Sequence, residues 1–329
     1  NQDQPFFLYM SHFAVHDPIH GRPDLVEKYR QKLASMDPSN SPPFLLEGNP
    51  DDPQPLTNEQ LVSLIDLPPY QDYKVLPERT VKIKQHQDNI EFAAMVESMD
   101  ESLGRIVDHI DQLGLTDNTL IVFFSDNGGM SGANFGGASR VVDSSRLDSA
   151  YSTSNLPLRG AKGWLYEGGI RVPMIVKWPE KFSDSSRIVE EPVISTDFYP
   201  SLLEMAGLPA RDEQALDGVS FVPALNGDSF NRGPIFWHFP QYSNHGMQSP
   251  GGAVRFGDYK LLEYFENNTV QLFNLREDIG ERNDLSQTEP QIREELRTLL
   301  RSWREDVDAQ MPPRNPDYDP SQYPHRASP

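Results

Sequence analysis

Three short stretches of this chain carry groups that could do chemistry. Leu120 to Gly129 reads LIVFFSDNGG: five apolar residues run unbroken and then stop at Ser125-Asp126-Asn127-Gly128-Gly129. A short continuous apolar run rich in β-branched and aromatic residues predicts a strand buried on both faces. In open α/β sheets ligands bind just beyond the carboxyl ends of strands, and Asp126 and Asn127 fall there. A carboxylate beside an amide oxygen suits a hard divalent cation, Ca²⁺ above all. Read alone, the same residues also make a plain Asp-Asn-Gly turn at a strand end.

The second stretch is Arg159 to Gly169, RGAKGWLYEGG, which sets Lys162 among glycines. The third is Ser11 to Pro18, SHFAVHDP, with His12 and His16 at the two ends of a loop. A hard cation, a fixed ammonium and one or two imidazoles together suit a tetrahedral oxyanion, sulfate or phosphate, whose ester oxygen must be protonated as it leaves. Each residue also has a plainer reading. Lysines are mostly on surfaces, and the loop could turn either histidine inward. Glu167 and Arg171, four apart and of opposite charge, read as a pair bracing the loop.

The elements that must position these groups follow from periodicity. Phe6 to Met10 predicts a buried strand, and Asp24 to Leu33 a helix. Asp37 to Pro77, rich in Pro, Asn and Asp, reads as a long surface excursion. Gln85 to Leu115 predicts a helix with Met95, Met99, Leu103, Ile106 and Ile110 on one apolar stripe. Met130 to Leu158 reads as an exposed loop, Arg171 to Trp178 as a strand and Val193 to Ser195 as a short one. Thr196 to Ala206 predicts a helix capped by Asp197 and ended by Gly207. Such alternation implies an α/β fold, a mostly parallel sheet flanked by helices. After residue 230 the texture changes. Pro234 to His238, Gly251 to Phe256, Tyr259 to Tyr264 and Val270 to Phe273 predict a small antiparallel sheet. An amphipathic helix over Glu289 to Gln310 follows, with Ile292, Leu296, Leu299, Leu300 and Trp303. The expected organisation is an α/β portion over 1–230, a sheet-and-helix subdomain over 231–310 and an extended tail over 311–329.

Composition narrows the function classes. The chain has 329 residues, 37% of them hydrophobic, enough for a real core. A net charge of −20 argues against nucleic acid. It leaves anionic substrates open, because a metal and a few cations reverse a local field. With no cysteine there is no disulfide, thiolate metal site or cysteine nucleophile in the chain. No apolar stretch reaches membrane-spanning length. The opening Asn1-Gln2-Asp3-Gln4-Pro5 has neither an initiator Met nor a signal-like segment, and suggests a start inside a domain.

The chain resembles the C-terminal two-thirds of a type I, formylglycine-dependent sulfatase of the arylsulfatase group, in the alkaline-phosphatase-like superfamily. The resemblance rests on Phe6 to Ile19, Ala93 to Gly129, Asn155 to Pro179, Ser195 to Leu208, Leu216 to Phe221 and Leu272 to Ser286. SDNGG followed by GxKGxxYEGGxR is its most specific part. The resemblance implies that Asp126 and Asn127 are two of four ligands to one calcium ion. It implies that Lys162 contacts the sulfate and its ester oxygen, and that His16 binds sulfate and helps the leaving group depart. His12 is left a supporting place near the substrate. The resemblance also implies a formylglycine nucleophile, made from Cys or Ser in a C/S-x-P-x-R motif, and this chain has neither a Cys nor an S-x-P-x-R. The expectation is therefore a fragment, inactive alone, of a periplasmic or secreted sulfatase acting on sulfated saccharides. The competing expectations are a phosphomono- or phosphodiesterase of the same superfamily and a non-catalytic sulfated-glycan binding protein. His238 and His245 flank an aromatic run, Trp237 to Tyr242, and read either as lining a sugar subsite or as ordinary loop histidines. The Asn267-Asn268-Thr269 sequon carries meaning only in a glycosylating host.

Overall fold

A computed structural model describes residues 4–37, 39, 41, 44–48, 51, 81–132, 151–182, 187–209, 213–243 and 248–317. His245 and most of the expected tail lie outside them. The chain divides into two compact units: residues 1–106, 125–173 and 236–329 form the first, and 107–124 with 174–235 the second.

The first unit is built around a four-stranded antiparallel sheet in the order β5-β6-β7-β8. These strands are Ile235–Phe239, Gly251–Phe256, Tyr259–Tyr264 and Val270–Asn274, close to the expected spans. The sheet is covered on both faces, and its register shows how. Val254 pairs with Leu261 and Leu261 with Leu272, so the three form one row. That row packs on Leu296 and Leu300 of the helix Pro290–Asp306. Burying each such leucine fully is worth about 1.5–3 kcal/mol. Alternation turns Ala253, Leu262 and Phe273 to the other face, where they meet Trp164, Leu165 and Tyr166 of the glycine-punctuated stretch. Lys260, two residues from Leu262, shares that face.

The same unit holds helix α1, Pro23–Ala34, and the strands β1, Phe44–Glu47, and β2, Val81–Lys84, paired antiparallel. Leu25 and Val26 of α1 pack on Ala94 of helix α2, Ile90–Gln112. The stretch read as a surface excursion therefore contains a strand, and its Glu47 is buried. Residues 151–154, expected in an exposed loop, are also buried. Phe6 to Met10 is the reverse case: no strand forms, and Phe7 and Tyr9 are 81% and 82% exposed. An apolar run becomes a buried strand only where a neighbour offers a ladder and cover. Among the described residues none does so for this one.

In the second unit β3, Ile121–Phe124, pairs antiparallel with β4, Met174–Lys177. The β3 residues are half-buried rather than covered on both faces. Among the described residues β1 with β2, β3 with β4, β6 with β7 and β7 with β8 pair antiparallel, and the mostly parallel part of the expected sheet is not among these ladders. Strand–helix alternation sets the α/β class without fixing the direction of each neighbour. Val193 to Ser195 forms no strand; a 3₁₀ turn over Ser195–Asp197 leads into helix Phe198–Met205, with Gly207 at φ 66° closing it. Asp197 stands at the N-cap position of that helix, but its side chain makes no capping bond to it. Its fully buried carboxylate accepts the N–H groups of Ile194 and Val219, each at 2.9 Å, and meets Arg232 at 3.1 Å.

Candidate active site

The expected site residues His16, Lys162, Asp126 and Asn127 all lie in the first unit. The structure brings the first two into contact. Lys162 Nζ stands 2.8 Å from His16 Nε2. An ammonium can only donate, so Nε2 accepts and the ring proton belongs on Nδ1. Nδ1 in turn lies 2.8 Å from the Asp17 carbonyl and 2.8 Å from the Asp17 carboxylate. The ring is thus held from both sides, while half of the His16 side chain stays open to solvent. His12 is elsewhere: its Nε2 is bonded to Ser102 Oγ on α2 at 3.1 Å. Geometry separates the two histidines where their loop did not.

Asp126 lies two residues past the end of β3, is exposed, and makes no hydrogen bond or ion pair to a described residue. Asn127 beside it is half-buried, and its carbonyl accepts from Ser125 Oγ at 3.1 Å. Two free hard-oxygen side chains at a strand end fit part of the six to eight oxygens that Ca²⁺ takes. Among the described residues no group of three or more His, Cys, Asp or Glu gathers to hold a metal.

What joins SDNGG to RGAKGWLYEGG is backbone. Gly128 N–H donates to Gly169 O at 2.9 Å, and Lys162 N–H to Gly129 O at 3.1 Å. The Asn155 amide donates to Gly129 O at 2.8 Å and to Gly168 O at 2.9 Å. The two segments cross so closely that side chains are excluded. A Cβ at Gly128 would lie 1.9 Å from Gly168 O, and one at Gly168 would lie 2.4 Å from Arg159 O. The glycines thus let two loops bond main chain to main chain, and Lys162 is seated by that crossing.

Beneath the crossing lies a charged layer. Buried Glu167 meets Arg171 at 3.6 Å, the expected pair, but its nearer partner is buried Lys260, at 3.0 Å. Burial alone would raise the Glu167 carboxyl; the Lys260 ammonium, with Arg255 and Arg171 beyond it, outweighs burial and holds the carboxyl below its usual range. For Glu281 burial wins, with Glu167 adding to it against Lys260, and the carboxyl is raised. Asn155, Lys260 and Glu281 were not singled out by sequence reasoning. For Asn155 a signal existed: it opens the NLPLRGAKG stretch. Lys260 and Glu281 resemble ordinary surface charges in sequence.

Residues 1–208 match the sulfatase family profile, and residues 161–306 match one described as N-sulphoglucosamine sulphohydrolase, C-terminal. A sulfatase of Formosa agariphila is 29% identical over 323 residues, 92% of this chain and 46% of that protein. The N-acetylgalactosamine-6-O-sulfatase of Bacteroides thetaiotaomicron is 28% identical over 218 residues, covering 62% of this chain and 40% of its own. Among solved structures, Ps i-CgsB in complex with k-i-k-neocarrahexaose is 31% identical with a TM-score of 0.55, over 69% of this chain and 45% of that one. The chain thus spans less than half the length of each of these relatives.

Proposed function

This chain belongs to the sulfatase family, and we propose that the protein carrying it hydrolyses sulfuric esters of carbohydrates. The fold is α/β, of the alkaline-phosphatase-like kind. The observation that carries the reading is the 2.8 Å contact between Lys162 Nζ and His16 Nε2. Two nitrogens there hold one transferable proton at a solvent-facing position, with Lys162 tied through its own N–H to the SDNGG strand end. Cleaving the S–O bond of a sugar sulfate leaves an alkoxide, a poor leaving group, and a positioned acid contributes roughly 10²–10⁴-fold. The Lys162 charge would draw the sulfate in, and one ammonium proton would then pass from Lys162 to His16 Nε2 and from there to that oxygen, leaving Lys162 neutral. Asp17 keeps the imidazole oriented from behind.

Asp126 and Asn127 would hold one calcium ion together with ligands from outside the described residues. Such an ion, when bound, supplies positive charge for a sulfate oxygen. The formylglycine nucleophile would lie outside these 329 residues, which hold no cysteine and no S-x-P-x-R; that reading is supported by the share of the relatives that the chain spans. The carbohydrate preference is supported by the names of two relatives, an N-acetylgalactosamine-6-O-sulfatase and a structure holding a neocarrahexaose.

The test uses the protein that carries this chain, assayed on sulfated and phosphorylated saccharides side by side, with metal content measured in parallel. Sulfate release with one calcium per chain, lost in Asp126→Ala together with the metal, is expected. Phosphate release with two transition metals would replace this reading by a phosphoesterase. Saccharide binding without release of either anion would replace it by a glycan-binding protein.

A further inference from the structure

Lys260 projects from β7 and is fully buried. Its Nζ donates to Glu167 Oε1 at 3.0 Å and lies 2.8 Å from Glu281 Oε1. The other Glu281 oxygen accepts the N–H of Glu167 at 2.6 Å. Three charged groups are therefore locked to one another and to the main chain at the start of 167–169. Glu281 is held at φ 52°, a left-handed conformation uncommon for a glutamate. Such a conformation persists where the surroundings over-determine it. Its own carbonyl accepts from Arg159 Nη1 at 2.9 Å.

From these groups the bonds run to the active-site loops without a gap. Gly168 N–H donates to Arg159 O at 2.7 Å. Gly169 O receives Gly128 N–H at 2.9 Å, and Gly129 O receives Lys162 N–H at 3.1 Å. The C-terminal sheet thus reaches, through two side chains and a few peptide groups, both the strand end bearing Asp126 and the lysine facing His16.

Stability alone is a poor reason for this arrangement. Taking three charges out of water is expensive, and well-packed neutral replacements for buried ion pairs are often as stable or more so. What a buried ionic bridge provides in some proteins is one allowed geometry. Resting on the sulfatase reading, we propose that Lys260 is a positioning residue: with Glu281 it fixes the 167–169 backbone, and through it the Gly128–Gly129 crossing and Lys162. Neither residue touches the substrate position. Their effect is carried by the spacing of groups that do, where a misplacement of 1 Å costs on the order of 10²-fold.

The experiment compares Lys260→Met/Glu281→Gln with wild type in the protein that carries this chain. The double substitution removes one charge of each sign, leaves Glu167 for Arg255 and Arg171, and keeps an acceptor for the Glu167 N–H. Three quantities are read: the unfolding midpoint, amide hydrogen exchange of peptides covering 125–132 and 159–171, and kcat and KM for sulfate-ester turnover. The expected result is an unfolding midpoint close to wild type, exchange faster in both peptides by about 10-fold or more, and kcat reduced with little change in KM. A folded variant with wild-type exchange and wild-type kcat overturns the proposal. If the wild-type protein turns over no sulfate ester, the sulfatase reading fails by itself, and the exchange measurement still decides whether Lys260 holds the crossing. If the double variant does not fold, Glu281→Gln and Glu281→Ala decide. Gln preserves the bond to Glu167 N–H and should keep slow exchange, Ala should lose it, and equal exchange in the two overturns the proposal.

Discussion

Replacing Gly128 by alanine adds one methyl group at the point where the two loops cross. Gly128 has no left-handed φ, so alanine suits its backbone and the contact alone is perturbed. The new Cβ would stand 1.9 Å from Gly168 O, 2.8 Å from Gly168 C and 2.9 Å from Gly169 Cα. Even a close C···O contact needs about 3.3 Å, so the crossing must open by roughly 1.4 Å at that oxygen. All three obstacles are backbone, which cannot turn aside as a side chain would. Opening the gap stretches the Gly128 N–H bond to Gly169 O and the Asn155 bonds that span the same segments. Overpacking of this kind costs about 1–3 kcal/mol, and a lost hydrogen bond about 1 kcal/mol more. The larger effect falls on activity, because a displacement beyond 1 Å at a positioned group costs on the order of 10²-fold in rate. The assay is urea unfolding together with kcat/KM on a sulfate ester, with Gly104→Ala as control. A Cβ at Gly104 in α2 meets nothing within 4 Å, so that change should stabilise the helix by up to about 1 kcal/mol. If Gly128→Ala unfolds within about 0.5 kcal/mol of wild type and keeps its kcat/KM, the reasoning from the crossing is wrong.

Two further outcomes follow from buried charges. Asp197→Ala leaves Arg232 buried without its carboxylate and should destabilise the fold by about 3–5 kcal/mol; urea unfolding showing less than 1 kcal/mol, roughly the scale of an ordinary substitution, would mean that the pair is solvated. Burial pushes the Lys82 ammonium down to about 8. A depressed lysine destabilises the fold fully below its folded value, and the cost disappears as pH rises past the unfolded value near about 10.4. Stability should therefore rise between about pH 8 and pH 10.5 in wild type, and Lys82→Met should flatten that rise, as thermal scans across pH would show.

Legibility in the sequence followed how local the determining physics is. The strands β6 to β8 and the last helix were readable because alternation and the helical repeat are written in neighbouring residues. The SDNGG strand end was readable for the same reason. Phe6 to Met10 was not, because whether an apolar run is covered depends on neighbours far along the chain. His16 could not be told from His12 in the loop; contacts across 146 residues to Lys162 and across 90 residues to Ser102 separate them. Glu167 was read with Arg171, the partner four residues on, while its closer partner Lys260 comes from another part of the chain. Asp197 sits where its helix begins, as its sequence position suggests, but its carboxylate serves Ile194, Val219 and Arg232, which lie outside that helix.

Proton delivery by His16, paired with Lys162, to the departing oxygen of a sulfate ester is the step on which the proposed function turns. Its most direct test is kcat/KM for a sugar sulfate and for nitrophenyl sulfate in wild type, His16→Ala and His12→Ala. Nitrophenolate leaves without a proton, so general-acid help matters little for it. His16→Ala should reduce sugar-sulfate turnover by roughly 10²–10⁴-fold and nitrophenyl-sulfate turnover far less. His12→Ala, whose histidine is bonded to Ser102, should show no such selectivity. Equal losses on both substrates in His16→Ala would contradict the claim and leave His16 a sulfate-binding residue only.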